Sequence, residues 1–221
     1  MSWEEFDLND KPSQSFNSGN SGNNGGFQKK QWTGKPNSGF QKKYEEGPAE
    51  LYLPYTVSTN QDIPDNASDI LTSVVKRFSE SDYTLRTGGN KGVDDLLETL
   101  SKRTEIHLPW RGFNDKQSKF TFNTKNSFEI AKQFSPVYEN MKDSVKAMLA
   151  RNVRMMLGKD LKSPTMFLLT WTADGAESAS ERTAKTGFAG HLIAMASAMR
   201  VPVYNLSKPN TLDRIQQYLS Q

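Results

Sequence analysis

Tyr83–Asp95 reads YTLRTGGNKGVDD. A short run with alternating apolar positions gives way to two adjacent glycines, Gly88 and Gly89, then to Gly92 and a helix-like pattern. A backbone this bare where a strand hands over to a helix serves either a tight turn or a phosphate that must come close. The remainder of the chain has to separate the two.

Working outward, the same alternation of strand and helix recurs. LYLPYTV (Leu51–Val57) reads as a strand, and a helix follows over Ala67–Ser79 with Asn66 as its N-cap. Tyr83–Arg86 is the second strand and Val93–Leu100 its helix; EIHLPW (Glu105–Trp110) is the third strand. Residues 112–126 are polar and loop-like, and Ser127–Phe134 is helical. Ser135-Pro136 suits an N-cap and first helical position, opening a longer helix to Leu157 that Gly158 ends. TMFLLTW (Thr165–Trp171) is the most continuous apolar run, as a strand buried on both faces requires. A helix at Ala189–Met199, the strand VPVYNL (Val201–Leu206) and a helix at Thr211–Leu219 complete the series. Such alternation predicts an α/β fold: a Rossmann-like parallel sheet of about five strands with helices on both faces.

Composition sets the frame around that sheet. The chain has 221 residues, room for one domain with a substantial core. Residues 1–48 lack the aliphatic side chains a core needs and are rich in Gly, Asn, Ser, Gln and Lys. A segment that cannot bury enough apolar area to offset chain entropy is expected to be a disordered tail, placing the folded domain at 49–221. Within the tail GFQKK occurs twice, at Gly26–Lys30 and Gly39–Lys43, with Trp32 between. Aromatics interleaved with lysine suit stacking on unpaired bases; a solubilising linker is the alternative. Its SWEEFDLND opening pairs Trp3, Phe6 and Leu8 with acids, as peptides that dock on a replication or transcription protein do. The net charge of +3 permits nucleic-acid binding without demanding it. The absence of cysteine excludes disulfides and thiol chemistry and fits a reducing cytoplasm. No apolar run approaches a membrane span.

Ligands of such sheets sit at the carboxyl ends of the strands. The loops there carry Arg86, Thr87, Gly88, Gly89 and Gly92; Arg111 and Asn114; and Thr186, Gly187 and Gly190 just before a helix start. Two glycine-rich turns at strand–helix junctions favour a phosphate-bearing ligand over turns alone. Arg86, Arg111, Arg151 and Arg182 are candidate anion binders, with surface ion pairs as the alternative reading. Trp110, Phe113 and Phe188 are candidate stacking residues, core packing being the alternative for Trp110. Asp94 and Asp174 fit the role of acids that organise loops; His107 fits a packed strand position, and His191 a helix start or a phosphate contact. With two histidines and no cysteine, acid–base catalysis would fall to Asp94, Asp174 or Glu177. No cofactor or metal motif is present in the sequence.

YTLRTGGNKGVDD, EIHLPWRGFN, ARNVRMMLGKDLKSP, FLLTWTADGAES, TAKTGFAG and VPVYNLSKP, taken in order, resemble the Rossmann-like domain of DNA-processing protein A and the wider SLOG superfamily. The likeness runs from Leu51 to Gln221 and is nearest the small stand-alone versions common in bacteriophages. Arg86, Gly88, Gly89, Gly92 and Asp94 match the family pattern, as do Pro109, Trp110, Gly112 and Asn114, Arg151 and Asn152, and Trp171, Asp174 and Gly175. The resemblance implies phosphate binding at the glycine loops, by single-stranded DNA in one branch and by nucleotides in others. Two departures stand out. The first loop is Val57-Ser58-Thr59-Asn60, without the family's glycines and arginine, and the second is Thr186-Gly187-Phe188-Ala189-Gly190. Both weaken a small-nucleotide pocket and supply a stacking aromatic, and the glutamate of the base-removing enzymes is missing. The expectation is a non-enzymatic binder of single-stranded nucleic acid, phage-encoded and able to form oligomers. A nucleoside-phosphate hydrolase and a sensor or sponge of a nucleotide signal are the alternatives.

Overall fold

The computed structural model describes residues 52–59 and 63–219. The chain divides into two units, Met1–Glu46 and Gly47–Gln221, and every described residue belongs to the second. The GFQKK repeat and the SWEEFDLND opening lie outside the described residues.

Five strands, β1 (Pro54–Thr59), β2 (Thr84–Thr87), β3 (Thr104–Ile106), β4 (Leu168–Trp171) and β5 (Val203–Asn205), form one all-parallel sheet in the order β3-β2-β1-β4-β5. Six helices connect or follow them: α1 (Asp65–Glu80), α2 (Val93–Leu100), α3 (Lys125–Gln133), α4 (Asp143–Leu157), α5 (Ala189–Ala198) and α6 (Thr211–Leu219). The fold is α/β and Rossmann-like. The chain steps outward from β1 to β3, then returns through α3 and α4 to place β4 on the other side of β1. Strand order therefore reverses between β1 and β4, where such sheets open a crevice at their carboxyl edge.

Strand periodicity divides the core. Tyr55, Val57, Leu85, Leu169 and Tyr204 point to one face and pack on Leu71, Val75 and Phe78 of α1, Leu97 of α2 and Ile215 of α6. Aromatic rings dominate there: Tyr55 stacks on Phe167 at 5.4 Å, and Phe78, Tyr83, Tyr204 and Tyr218 surround the pair. Leu168 and Val203 face Leu149, Val153 and Met156 of α4 and Leu192, Ile193 and Met195 of α5. Each fully buried side chain of this kind contributes about 1.5–3 kcal/mol against chain entropy.

Register puts Thr56 opposite Leu168 and Arg86, so the α4 side of the sheet is polar at its centre. Thr56 Oγ1 donates to the Met155 carbonyl at 2.8 Å, and Arg86 Nη1 donates to the Ser163 carbonyl at 2.8 Å. The Thr56 bond, with a second from Arg86 Nη1 to the same Met155 carbonyl at 3.4 Å, satisfies a carbonyl in the last turn of α4, where intrahelical donors are lacking.

Several boundaries differ from the sequence reading. α1 starts at Asp65 after Pro64, so Asn66 lies inside its first turn. β3 stops at Ile106; beyond it His107 forms one bridge to Phe120, and Leu108 N donates to the Phe120 carbonyl. α3 starts at Lys125, two residues early, because Thr124 and Ser127 cap each other reciprocally. Ser135-Pro136 does not open α4. Tyr138 N bonds the Ser135 carbonyl in a separate short turn, Tyr138–Asn140, which buries Tyr138, and extended backbone at Met141 and Lys142 precedes Asp143.

Candidate functional site

The two glycines quoted first are buried, and the interior accounts for both. A Cβ at Gly88 would sit 2.6 Å from Arg151 Nη1, and one at Gly89 would sit 2.5 Å from Leu108 Cδ2. Gly89 also has φ +68°, which disfavours any side chain. The bareness thus admits a guanidinium and a leucine. Even so, neither Gly88 N nor Gly89 N donates to an acceptor among the described residues.

Arg151 rises from α4 to the end of β2 and is 2 % exposed. Its Nη1 donates to the Gly88 carbonyl at 2.8 Å and to Asn90 Oδ1 at 3.3 Å; Nη2 donates to Asn152 Oδ1 at 3.0 Å. That bond orients the Asn152 amide, leaving its buried Nδ2 without a partner among the described residues. No carboxylate lies within ion-pair distance of Arg151 among the described residues. Burial lowers its pKa to about 10, with nearby Asp94 opposing, so the cation persists at neutral pH. Asp94 is buried as well and is raised to about 6 by desolvation, against the Asn90 amide bond and the Arg151 charge. Its Oδ2 accepts from Asn90 N and Nδ2, and Asp95 takes the Gly92 amide. Asp94 is therefore an organiser of the first loop.

Asp174 has the same part in the β4–α5 loop. Oδ1 accepts from Thr172 Oγ1 and Ala176 N; Oδ2 accepts from Thr183 N, Thr183 Oγ1 and Thr186 Oγ1. Burial works against its charge, but the Thr183 and Thr186 hydroxyls hold its carboxyl well below the usual range. Thr186 is thereby committed, Gly187 supplies the turn at φ +62°, and Gly190 opens α5 under Arg182, whose Nη1 bonds its carbonyl. Glu177 is spent on Asn205 N and Arg214.

The β3–α3 loop completes the rim. Asn114 Nδ2 reaches back to the Gly89 carbonyl at 3.0 Å. Trp110 is 40 % exposed and meets Phe113 edge-on at 5.0 Å. Arg111 lies over the ring of Phe122, which is 68 % exposed. Phe188, also 40 % exposed, packs from the other glycine loop toward the Arg151 guanidinium. Asn123 ties Phe122 to both Pro109 and Ala147 of α4.

The structure thus brings Gly88, Gly89, Asn114, Arg151, Asn152 and Phe188 together and sets Trp110, Arg111 and Phe113 beside them. It does not bring in Arg86, which is 1 % exposed and spent on Glu105, Tyr52 and the end of α4. Thr87 is buried and donates to Glu98. Gly92 has open space where a Cβ would stand, and its φ of +91° makes it a turn residue. His107 and His191 are both pushed down to about 4 by burial and stay neutral. Sequence reasoning missed Asn90 and Phe122, although two phenylalanines, Phe120 and Phe122, among Lys, Thr and Asn were a legible signal. No helix among the described residues is long and apolar enough to cross a membrane, and none of their His, Asp or Glu clusters suits a metal. Compared with protein-family models, with curated proteins and with solved structures, the chain matches none.

Proposed function

We propose that this chain binds single-stranded nucleic acid along the carboxyl rim of its sheet and performs no chemistry on it. One observation carries the reading: Trp110, Phe122 and Phe188 stand exposed on the rim that holds the buried Arg151, with which no carboxylate among the described residues makes an ion pair. Exposed rings flanked by cations are the elements of a sequence-tolerant single-strand platform, at roughly 1–3 kcal/mol per stacked base. Arg151 provides a fixed positive potential beneath them, and Arg111, Lys119 and Lys125 offer exposed charge to phosphates. The likeness to DNA-processing protein A points the same way. A role for the N-terminal segment in extending the contact or recruiting a replication or transcription protein belongs to the same proposal.

Fluorescence anisotropy with labelled single- and double-stranded DNA and RNA tests this on the full chain. Single strands should bind best, and the affinity should fall steeply with salt as neutralised phosphates release counterions. Trp110→Ala and Phe122→Ala should each lower it by about five- to a hundredfold. Absence of single-strand binding at low salt would end the proposal.

A further inference from the structure

A cavity of about 250 Å³ lies beside the rim, between the segment that joins α3 to α4 and the start of α5. Phe134, Met141, Val145, Leu149 and Phe188 give it apolar walls. Arg182 and His191, with the hydroxyls of Ser135, Thr183 and Thr186, supply its polar groups. The volume falls below the roughly 300–1,000 Å³ of pockets for drug-sized ligands, so the space suits a single ring system.

The polar groups are set for hydrogen bonding. His191 Nε2 meets the Ala131 carbonyl at 3.1 Å; a carbonyl only accepts, so Nε2 carries the proton. In the neutral ring Nδ1 is then a bare acceptor; it is buried and has no partner among the described residues. Arg182 spends Nε on the Ala179 carbonyl and Nη1 on that of Gly190, and Nη2 meets no acceptor among the described residues. An acceptor and a cationic donor among flat apolar walls complement a planar heterocycle that carries N–H and C=O or ring nitrogen on one edge. Phe188 belongs both to this cavity and to the exposed rim.

We propose that the cavity receives one unstacked nucleobase of the strand bound along the rim, with Phe188 as the wall shared by the two sites. The inference rests on the strand-binding reading. Enclosing a base between apolar side chains while polar groups meet its edge is how proteins hold an extruded nucleotide.

The test compares an oligodeoxythymidylate with an abasic strand of equal length, using the full chain and two cavity-filling variants, Val145→Trp and Met141→Trp. A variant is read if its melting temperature and circular dichroism match the unsubstituted protein. The expected result is a loss of about tenfold in affinity for the base-bearing strand, with unchanged, salt-sensitive binding of the abasic strand. Unchanged affinity for the base-bearing strand in a folded variant overturns the cavity proposal and leaves the rim intact. Failure of the unsubstituted protein to bind either strand overturns the rim reading and the cavity with it. If both variants misfold, Arg182→Met decides: it should erase the preference for the base-bearing over the abasic strand, and an unchanged preference counts against the cavity.

Discussion

Arg151 Nη1 lies 2.6 Å from where a Cβ at Gly88 would stand and donates to the carbonyl of that glycine at 2.8 Å. A similar close approach recurs just past the C-terminus of α4. A Cβ at Gly158 would sit 2.8 Å from Arg86 Nη2. In both places an absent side chain makes room for a guanidinium that crosses between helix and sheet. Gly88→Ala should therefore cost about 1–3 kcal/mol by driving the buried guanidinium off its acceptors. In an Arg151→Ala background the same substitution should cost much less. Urea unfolding of the two single variants and the double variant measures the coupling, and strict additivity would show that the two residues do not compete for that space.

Two carboxylates should leave opposite marks on stability against pH. Burial opposes the charge of Glu105, but bonds from His107 and Tyr52 and the Arg86 charge hold it down to about 2, against an ordinary 4.5. Its contribution is present above pH 4.5 and drains away as pH falls toward 2. Asp94 is shifted the other way, from 3.8 to about 6, by desolvation. The folded chain keeps that proton when the unfolded chain has released it, so stability falls as pH rises from 4 through 6, by on the order of 3 kcal/mol. Asp94→Asn should flatten the curve in the upper window, and Glu105→Gln in the lower one, in thermal melts across pH.

Asp174 gathers five donors from residues spread between Thr172 and Thr186. Asp174→Ala should release that loop while the sheet stays closed. Hydrogen exchange should accelerate at Thr183 and Thr186 and their neighbours, and remain slow at Leu168–Thr170. Unchanged protection in the loop would mean that the hydroxyls find equivalent partners without the carboxylate.

The elements that sequence located best were those whose pattern was self-sufficient. Val93–Leu100 and Thr211–Leu219 have the bounds expected of them. Each presents apolar residues at helical spacing, and a glycine or an asparagine–threonine pair marks its start. Ser135-Pro136 misled because a favourable start signal is local, whereas Tyr138 gains more by turning into the core than by continuing a helix. Arg86 misled for a related reason. Arginine beside a glycine loop reads as an anion binder, but alternation along β2 sends it inward, toward Glu105 and the end of α4.

By itself, then, the sequence determined the α/β class, the parallel sheet of five strands and the edge at which the loops gather, because hydrophobic period and turn residues are written locally. The tertiary structure alone decided which cations are spent and which are not. Arg86 meets a carboxylate at 2.8 Å while Arg151 meets only carbonyl and amide oxygens, and that difference arises between residues 19 and 63 positions apart. Partners that distant are chosen by strand register and helix packing, which no local pattern encodes.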